Sequence, residues 1–255
     1  MWTISPDRTV GRRLAIGGGL VVIAAALYFL SPGGTVAPSA TPSAAPKPPL
    51  RTVALSKKEL ALTFDISWGT VMPPKVIAIL AKDKVPATFF LSGPWSAHHP
   101  ELVALLKRDH FQIESHGQAH VNYSGLSDAQ VRDNIQKAQT ILEQVAGTKT
   151  DMVRPPNGDY DKRTLAVAES MGYTIVLWGT DSRDWMNPGV AAITNRVLRL
   201  AHPGDIVLLH ASDTCKQTDI ALPAIISGLR SQGYKLVTVD QLLRDAAREN
   251  RSMAD

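Results

Sequence analysis

Residues Leu60–Gly69, LALTFDISWG, decide the fold prediction, because a short apolar run here ends abruptly at a carboxylate. Residues 60–64 are apolar or β-branched and predict a buried strand. Asp65 follows this strand directly. From the residues alone, we interpret its carboxylate either as a functional group at the strand end or as the cap of the next turn.

The same pattern recurs along the chain, where apolar runs alternate with helical patterns. The runs predict strands at Leu60–Phe64, Ala87–Leu91, Phe111–Glu114, Met152–Arg154, Thr174–Trp178, Ile206–Leu209 and Leu236–Val239. Helices are predicted near Pro74–Lys82, Glu101–Arg108, Asp128–Val145, Lys162–Met171, Val190–Ala201, Ile220–Ser231 and Asp240–Arg248. Ser127 and Gly147 are the predicted N-cap and stop of the third helix. This alternation predicts an α/β fold with a parallel sheet, open or closed into a barrel, with functional groups at the carboxyl ends of the strands.

Chemically capable side chains follow several of these strands. They are Asp65, His116, His120, Arg154, Asp184 and His210. The H-x-x-x-H spacing lets two imidazoles converge on one cation, although the spacing alone is a weak motif. An arginine beside a carboxylate keeps that carboxylate ionised. Together these groups predict metal-assisted hydrolysis, with Asp65 as general base, His210 as general acid, and backbone N–H groups of the Pro156–Asn157 turn facing the developing oxyanion.

Composition narrows the function classes further. The chain has 255 residues, 44% of them hydrophobic, which is ordinary for a globular protein. Its single cysteine, Cys215, excludes an intramolecular disulfide and Cys-rich zinc motifs. The net charge of +4 comes without a dense basic stripe, so we expect no nucleic-acid partner. We also expect a monomer.

The N-terminal residues differ from the rest. Residues 14–30 carry no charge and are strongly apolar, and residues 1–13 include three arginines close to this run. This pattern predicts a transmembrane signal anchor with a cytoplasmic basic tail and the remainder outside the cell membrane; a cleavable signal peptide, giving a secreted protein, is the alternative. Residues 31–50, rich in Pro, Ala and Ser, predict an extended linker. Residues 51–255 then form one domain.

Five motifs in this domain resemble those of the polysaccharide deacetylase family, the NodB-homology carbohydrate esterases. They are TFDIS (63–67), SHGQAH (115–120), RPPNGDY (154–160), DSRDW (181–185) and LLHAS (208–212). The resemblance implies an irregular (β/α) barrel of about seven parallel strands. It also implies a divalent metal, zinc in particular, and removal of N-acetyl groups from peptidoglycan or a related GlcNAc-type polysaccharide.

The resemblance also assigns roles to individual residues. Asp65 matches the catalytic base, Arg154 the residue that orients it, and His210 the catalytic acid that Asp184 tunes. The remaining assignments are metal binding for His116 and His120, and substrate contact for Asn157, Tyr160 and Trp185. The backbone N–H of Asn157 matches the oxyanion donor, and Trp185 matches an aromatic wall of the site.

The first motif departs from the family pattern. It usually reads TFDD, and its second aspartate is a metal ligand; here that position is Ile66. Two alternatives follow: an active deacetylase, or a catalytically weak or inactive glycan-binding protein of the spore envelope. We hypothesise that Asp213 replaces the missing ligand. The variations as a set resemble the sporulation-associated PdaB-like branch, which implies a role in sporulation.

Overall fold

A curled parallel sheet organises the protein in the computed structural model, which describes residues 45–252. The strands follow the order β5-β4-β3-β2-β1-β7-β6, and β8 pairs with the first part of β1. Every pairing between the named strands is parallel, which confirms the predicted α/β class and agrees with a (β/α) barrel. The strands are β1 Glu59–Ile66, β2 Thr88–Leu91, β3 Gln112–Ser115, β4 Met152–Val153, β5 Thr174–Ile175, β6 Thr180–Asp181, β7 Ile206–His210 and β8 Lys235–Val237.

Each predicted helix is present. The helices are α1 Met72–Lys82, α2 Gly93–His98, α3 Pro100–Arg108, α4 Asp128–Ala146, α5 Lys162–Ser170, α6 Val190–Leu200, α7 Thr218–Ser231 and α8 Val239–Ser252. Ser127 begins α4 through a capping box with Gln130, and Gly147 ends it in the left-handed conformation, as the sequence predicts. The additional helix, α2, is too short to show a helical period in the sequence.

The sheet differs from the prediction near β5. Val176 does not continue β5 but forms a bridge with Leu50, supported by a hydrogen bond from the Leu50 N–H to the Ile175 carbonyl at 2.8 Å. The predicted linker, residues 31–50, therefore ends slightly late, because Leu50 already belongs to the sheet. Strand β6 was not predicted, because it has only two residues, both polar, and no apolar run in the sequence indicates it.

Successive side chains of β1 point to opposite faces of the sheet, which places Asp65 on the inner face. Leu62, Phe64 and Ile66 are fully buried in the main hydrophobic cluster, which also contains side chains of α1. Asp65 lies between Phe64 and Ile66 in this strand, so its side chain points to the opposite face. Truncating a side chain as buried as Phe64 to Ala typically costs about 3–5 kcal/mol, so the carboxylate sits on a rigid support.

The predicted basic tail, anchor and most of the linker, residues 1–44, lie outside the described residues. Among residues 45–252, each helix is too short or too polar to span a lipid bilayer.

Candidate active site

A cavity of about 530 Å³ opens at the carboxyl ends of the strands. The structure brings to it most of the side chains that the sequence singled out. Its lining includes Asp65, His116, His120, Asn157, Trp185 and His210.

The strand register explains this convergence. Asp65 on β1 is paired with His210 on the neighbouring strand β7. In the same way, Ser115 at the end of β3 is paired with Val153 of β4, so the following residues, His116 and Arg154, are also neighbours. Because parallel strands end at the same edge of a sheet, motifs far apart in the sequence meet at one rim.

Arg154 forms a buried ion pair with Asp65. Its Nη1 donates to Asp65 Oδ1 at 2.8 Å, and the arginine is 0% exposed. Its Nε and Nη2 donate to the carbonyls of Val176 and Leu177, and its guanidinium carbon lies 4.0 Å from the Phe90 ring centroid. Burial alone would raise the pKa of Asp65, but Arg154, with further contributions from His116 and His210, lowers it below its ordinary value. Asp65 is therefore ionised at neutral pH, as a general base must be.

His116 has the protonation state of a metal ligand. Its Nδ1 donates to the Arg154 carbonyl at 2.7 Å, so the lone pair is on Nε2, which lies 3.8 Å from Asp65 Oδ2. Burial lowers the pKa of His116 to about 4, so the imidazole is neutral at neutral pH. A backbone carbonyl that fixes the tautomer of a histidine is a common outer contact in metal sites. The His120 ring lies edge-on to it, with ring centroids 5.5 Å apart, and partial desolvation lowers the pKa of His120 as well.

The donor chemistry of His116, His120 and Asp65 fits a divalent cation such as zinc. The possible ligand atoms of these three residues, however, do not all lie within 4.8 Å of one another. Two groups of three residues within 45–252 have possible metal-ligand atoms that all lie within 4.8 Å of one another. Neither of these groups contains His116 or His120.

One of those groups, Asp184, His210 and Cys215, lies beside the same cavity. It fits a metal poorly, because Asp184 already binds His210 and because burial raises the pKa of the Cys215 thiol to about 12. A thiol binds metal as the thiolate. We therefore keep His116 and His120 as the predicted metal ligands.

Asp184 holds His210 from behind. His210 Nδ1 donates to Asp184 Oδ1 at 2.7 Å, and the His210 backbone N–H donates to Asp184 Oδ2 at 2.7 Å. Burial lowers the pKa of His210, but the Asp184 charge and hydrogen bond raise it above its ordinary value. Thr218 Oγ1 completes the arrangement by donating to Asp184 Oδ2 at 2.7 Å. Sequence reasoning missed Thr218, since only the fold brings the start of α7 to this carboxylate.

Ile66 and Asp213 do not contribute a ligand. Ile66 is fully buried in the main hydrophobic cluster and is absent from the cavity lining. Asp213 accepts hydrogen bonds from the backbone N–H groups of Thr70, Val71 and Met72 at 3.0, 3.0 and 2.7 Å. Both of its carboxylate oxygens therefore cap the start of α1, and the hypothesis that Asp213 replaces the missing ligand is not supported.

Gly69 allows this cap to form. It has a φ of +93°, and a Cβ there would lie 2.3 Å from Asp213 Cγ. A side chain at this position would displace the carboxylate, which explains the glycine.

Two exposed indoles stand at the cavity. Trp185, a predicted wall, is 52% exposed, and Trp68 is 42% exposed with its ring edge-on to His120 at 5.1 Å. Trp68 was not predicted, although an aromatic residue directly after a strand end was the available signal. Asn157 lines the cavity with a φ of +59°. Tyr160, in contrast, packs against a separate hydrophobic cluster and is not part of the lining.

Comparisons with known proteins agree with this geometry. The polysaccharide deacetylase family profile matches residues 52–176. A peptidoglycan-N-acetylglucosamine deacetylase of Bacillus cereus is 36% identical over 74% of this chain and 90% of that relative. Other relatives are longer: the chain spans 58% of the uncharacterized protein YlxY of Bacillus subtilis and 40% of the deacetylase PgdA of Listeria monocytogenes.

Solved structures with a similar fold belong to the CE4 family. A CE4 family pseudoenzyme from Bacillus anthracis has 30% identity and a TM-score of 0.73, covering 78% of this chain and 69% of that chain. A mutant of it with restored enzymatic activity has 31% identity and the same TM-score, covering 78% of this chain and 72% of that chain. On the strength of the 36% identity over nearly the full length of a relative, the chain belongs to the polysaccharide deacetylase family.

Proposed function

We propose that the chain is a metal-dependent hydrolase that removes N-acetyl groups from peptidoglycan or a related GlcNAc-type polysaccharide. One observation carries the proposal: Asp65, two imidazoles and His210 line one cavity, and the buried Arg154 and Asp184 bind Asp65 and His210. The similarity to a Bacillus cereus protein named as a peptidoglycan deacetylase supports the substrate class.

The residues divide the proton transfers between them. Asp65, kept ionised by Arg154, accepts the proton of the attacking water. His210, whose protonated form Asp184 stabilises, donates a proton to the leaving nitrogen. His116, His120 and Asp65 would hold the divalent cation, zinc in this proposal, which when bound polarises the amide carbonyl and acidifies water.

The substrate is positioned by the rim and the third motif. Trp68 and Trp185 present exposed indole faces at the cavity, against which sugar rings pack. Asn157, in the predicted oxyanion turn, lines the same cavity.

A catalytically weak glycan-binding protein is the second candidate, and Ile66 favours it. This side chain is buried in the core where the family motif has a metal-ligand aspartate, and the remaining donors are widely spaced. One of the similar folds is described as a pseudoenzyme.

Metal analysis combined with acetate release separates the two candidates. The set comprises wild type, Asp65→Asn, Ile66→Asp, and Ile66→Val as a control that keeps the core apolar. Zinc binding and acetate release by wild type, with release lost in Asp65→Asn, support the hydrolase. No metal and no acetate from wild type, with both gained in Ile66→Asp and not in Ile66→Val, support the binding protein.

We further propose that residues 14–30 anchor a monomer in the cell membrane, with residues 51–255 outside, and that it acts in sporulation. The uncharged apolar run and the motif variations support this setting. Membrane fractionation with external protease treatment tests the anchor and its orientation. Sedimentation equilibrium of residues 45–255 tests the monomer.

A further inference from the structure

A second cavity of about 420 Å³ lies next to the candidate active site. Its charged lining consists of Arg183, Arg196 and Arg199. The segment Asp181–Met186 joins the two cavities, because its residues 182, 183 and 186 line this one whereas Asp181 and Trp185 line the other. We call the second cavity the arginine pocket.

Among residues 45–252, the guanidinium groups of the arginine pocket have no carboxylate partner within 4.0 Å. In the described part of the chain, the arginines that form ion pairs up to 4.0 Å all lie outside this pocket; they are Arg108, Arg154, Arg163, Arg244 and Arg248. The two acidic residues nearest to Arg183 in sequence have other partners: the Asp184 carboxylate binds His210 and Thr218, and Asp181 Oδ1 accepts the Arg183 backbone N–H at 2.8 Å. Arg196 Nε donates to the Asp181 backbone carbonyl at 2.6 Å, which holds this side chain against β6. The pocket therefore combines the oriented Arg196 with two exposed arginines, Arg183 and Arg199, that have no carboxylate partner in the described part of the chain.

The backbone at Arg183 adds an independent argument. Arg183 has a φ of +59°, a left-handed conformation that Gly or Asn adopts at lower cost. Asn187, four residues later, shares this conformation. The turn itself therefore does not account for an arginine at position 183.

We propose that the arginine pocket binds a carboxylate carried by the glycan beside the acetamide that reacts. Guanidinium groups bind carboxylates through paired, charge-assisted hydrogen bonds. Met186, 54% exposed, and Trp185 supply apolar surface between the two cavities for the sugar that carries this group. The inference rests on the proposed function and narrows its substrate class: peptidoglycan carries lactyl and peptide carboxylates, whereas a GlcNAc homopolymer is neutral.

Calorimetric titration with two oligomers of equal length tests this proposal. One is a neutral GlcNAc oligomer, and the other alternates GlcNAc with N-acetylmuramic acid. We expect wild type to bind the acidic oligomer about tenfold more tightly than the neutral one. In the double variant Arg183→Asn and Arg199→Gln this preference disappears, and affinity for the neutral oligomer stays unchanged. Asn at position 183 suits the left-handed backbone, so the variant keeps its fold.

A second double variant, Arg132→Gln and Arg230→Gln, removes the same charge from α4 and α7 and is expected to keep the preference. An equal loss in both double variants, or an equal loss for both oligomers, would overturn the proposal. Acetate release is measured separately. A carboxylate preference without acetate release refutes the proposed hydrolase but keeps the pocket, whereas acetate release without a preference refutes the pocket alone.

Discussion

Replacement of Arg154 by Met is expected to destabilise the protein by about 3–5 kcal/mol, because it leaves a buried carboxylate without its partner. The Asp65 side chain is only 8% exposed, and Arg154 Nη1 at 2.8 Å is its closest cationic group. His116 Nε2 lies further away, at 3.8 Å, and this imidazole is neutral at neutral pH. It therefore does not replace the lost charge.

A double-mutant cycle isolates the ion pair from the packing. In an Asp65→Asn background the same change at Arg154 leaves no carboxylate unpaired, and its cost is that of the hydrogen bonds to the Val176 and Leu177 carbonyls and of the contact with Phe90. This loss amounts to about 1–3 kcal/mol. The difference between the two backgrounds gives an expected coupling energy of about 2 kcal/mol.

The pH dependence of stability provides a second measurement of the same pair. The pKa of Asp65 is lowered in the folded state, so its contribution is present above its unfolded pKa of about 4 and is lost as the pH falls further. Without Arg154, burial dominates and raises this pKa above the unfolded value. The free energy of unfolding of the Arg154→Met variant should therefore rise as the pH falls from 7 to 5. In wild type, the contribution of Asp65 to this free energy should not change over the same range.

Urea unfolding of the four proteins of the cycle at pH 7 and pH 5 measures both quantities. A coupling energy below about 0.5 kcal/mol would refute the view that the pair is desolvated and mutually dependent. The same pH dependence in wild type and Arg154→Met would refute the argument that Arg154 keeps Asp65 ionised.

Four further predictions concern the rest of the site. Ile66→Asp should lower the unfolding free energy of the metal-free protein by about 3–5 kcal/mol, since it buries a carboxylate, and added zinc should restore part of it in thermal melts. In an active protein, rate should fall as pH rises past the raised pKa of His210, and Asp184→Asn should move this fall to lower pH in a pH–rate profile. Thr218→Val should cost about 1–3 kcal/mol in urea unfolding, because the buried Asp184 loses a donor, while Thr218→Ser should cost less. Asp213→Ala should cost about 1–2 kcal/mol by removing the cap of α1, with metal content unchanged.

The local part of the site was predictable from the sequence. Asp65 and His210 directly follow apolar runs and Arg154 follows Met152 and Val153, and an abrupt change from apolar to polar residues marks the end of a strand wherever the strand occurs. A parallel sheet then brings such ends together without any knowledge of the strand order.

The contacts that depend on strand order were not predictable. Asp213 caps α1 from 141 residues away along the chain because β7 lies beside β1. Trp68 meets His120 for a related reason, since β2 and β3 extend the sheet on the other side of β1. No local pattern carries this information, and the same residues in another strand order would lie far apart.

At position 66, an apolar side chain favours fold stability, whereas a carboxylate would favour metal binding. Ile66 belongs to the main hydrophobic cluster, and full burial of such a side chain stabilises the fold by about 1.5–3 kcal/mol without any ligand. An aspartate there would lose this contribution and add a desolvation cost, which a bound cation offsets only if the side chain turns out of the cluster at the end of β1 toward His116 and His120.

With Ile66 in place, Asp65 would have to serve both as general base and as metal ligand. One of its oxygens already binds Arg154, and the other lies 3.8 Å from His116, so the base and the ligand compete for a single oxygen atom. The more tightly Asp65 holds a cation, the less basic this oxygen becomes. An active wild type should therefore combine weak metal affinity with measurable turnover, whereas Ile66→Asp should raise both together by freeing Asp65 for the proton transfer.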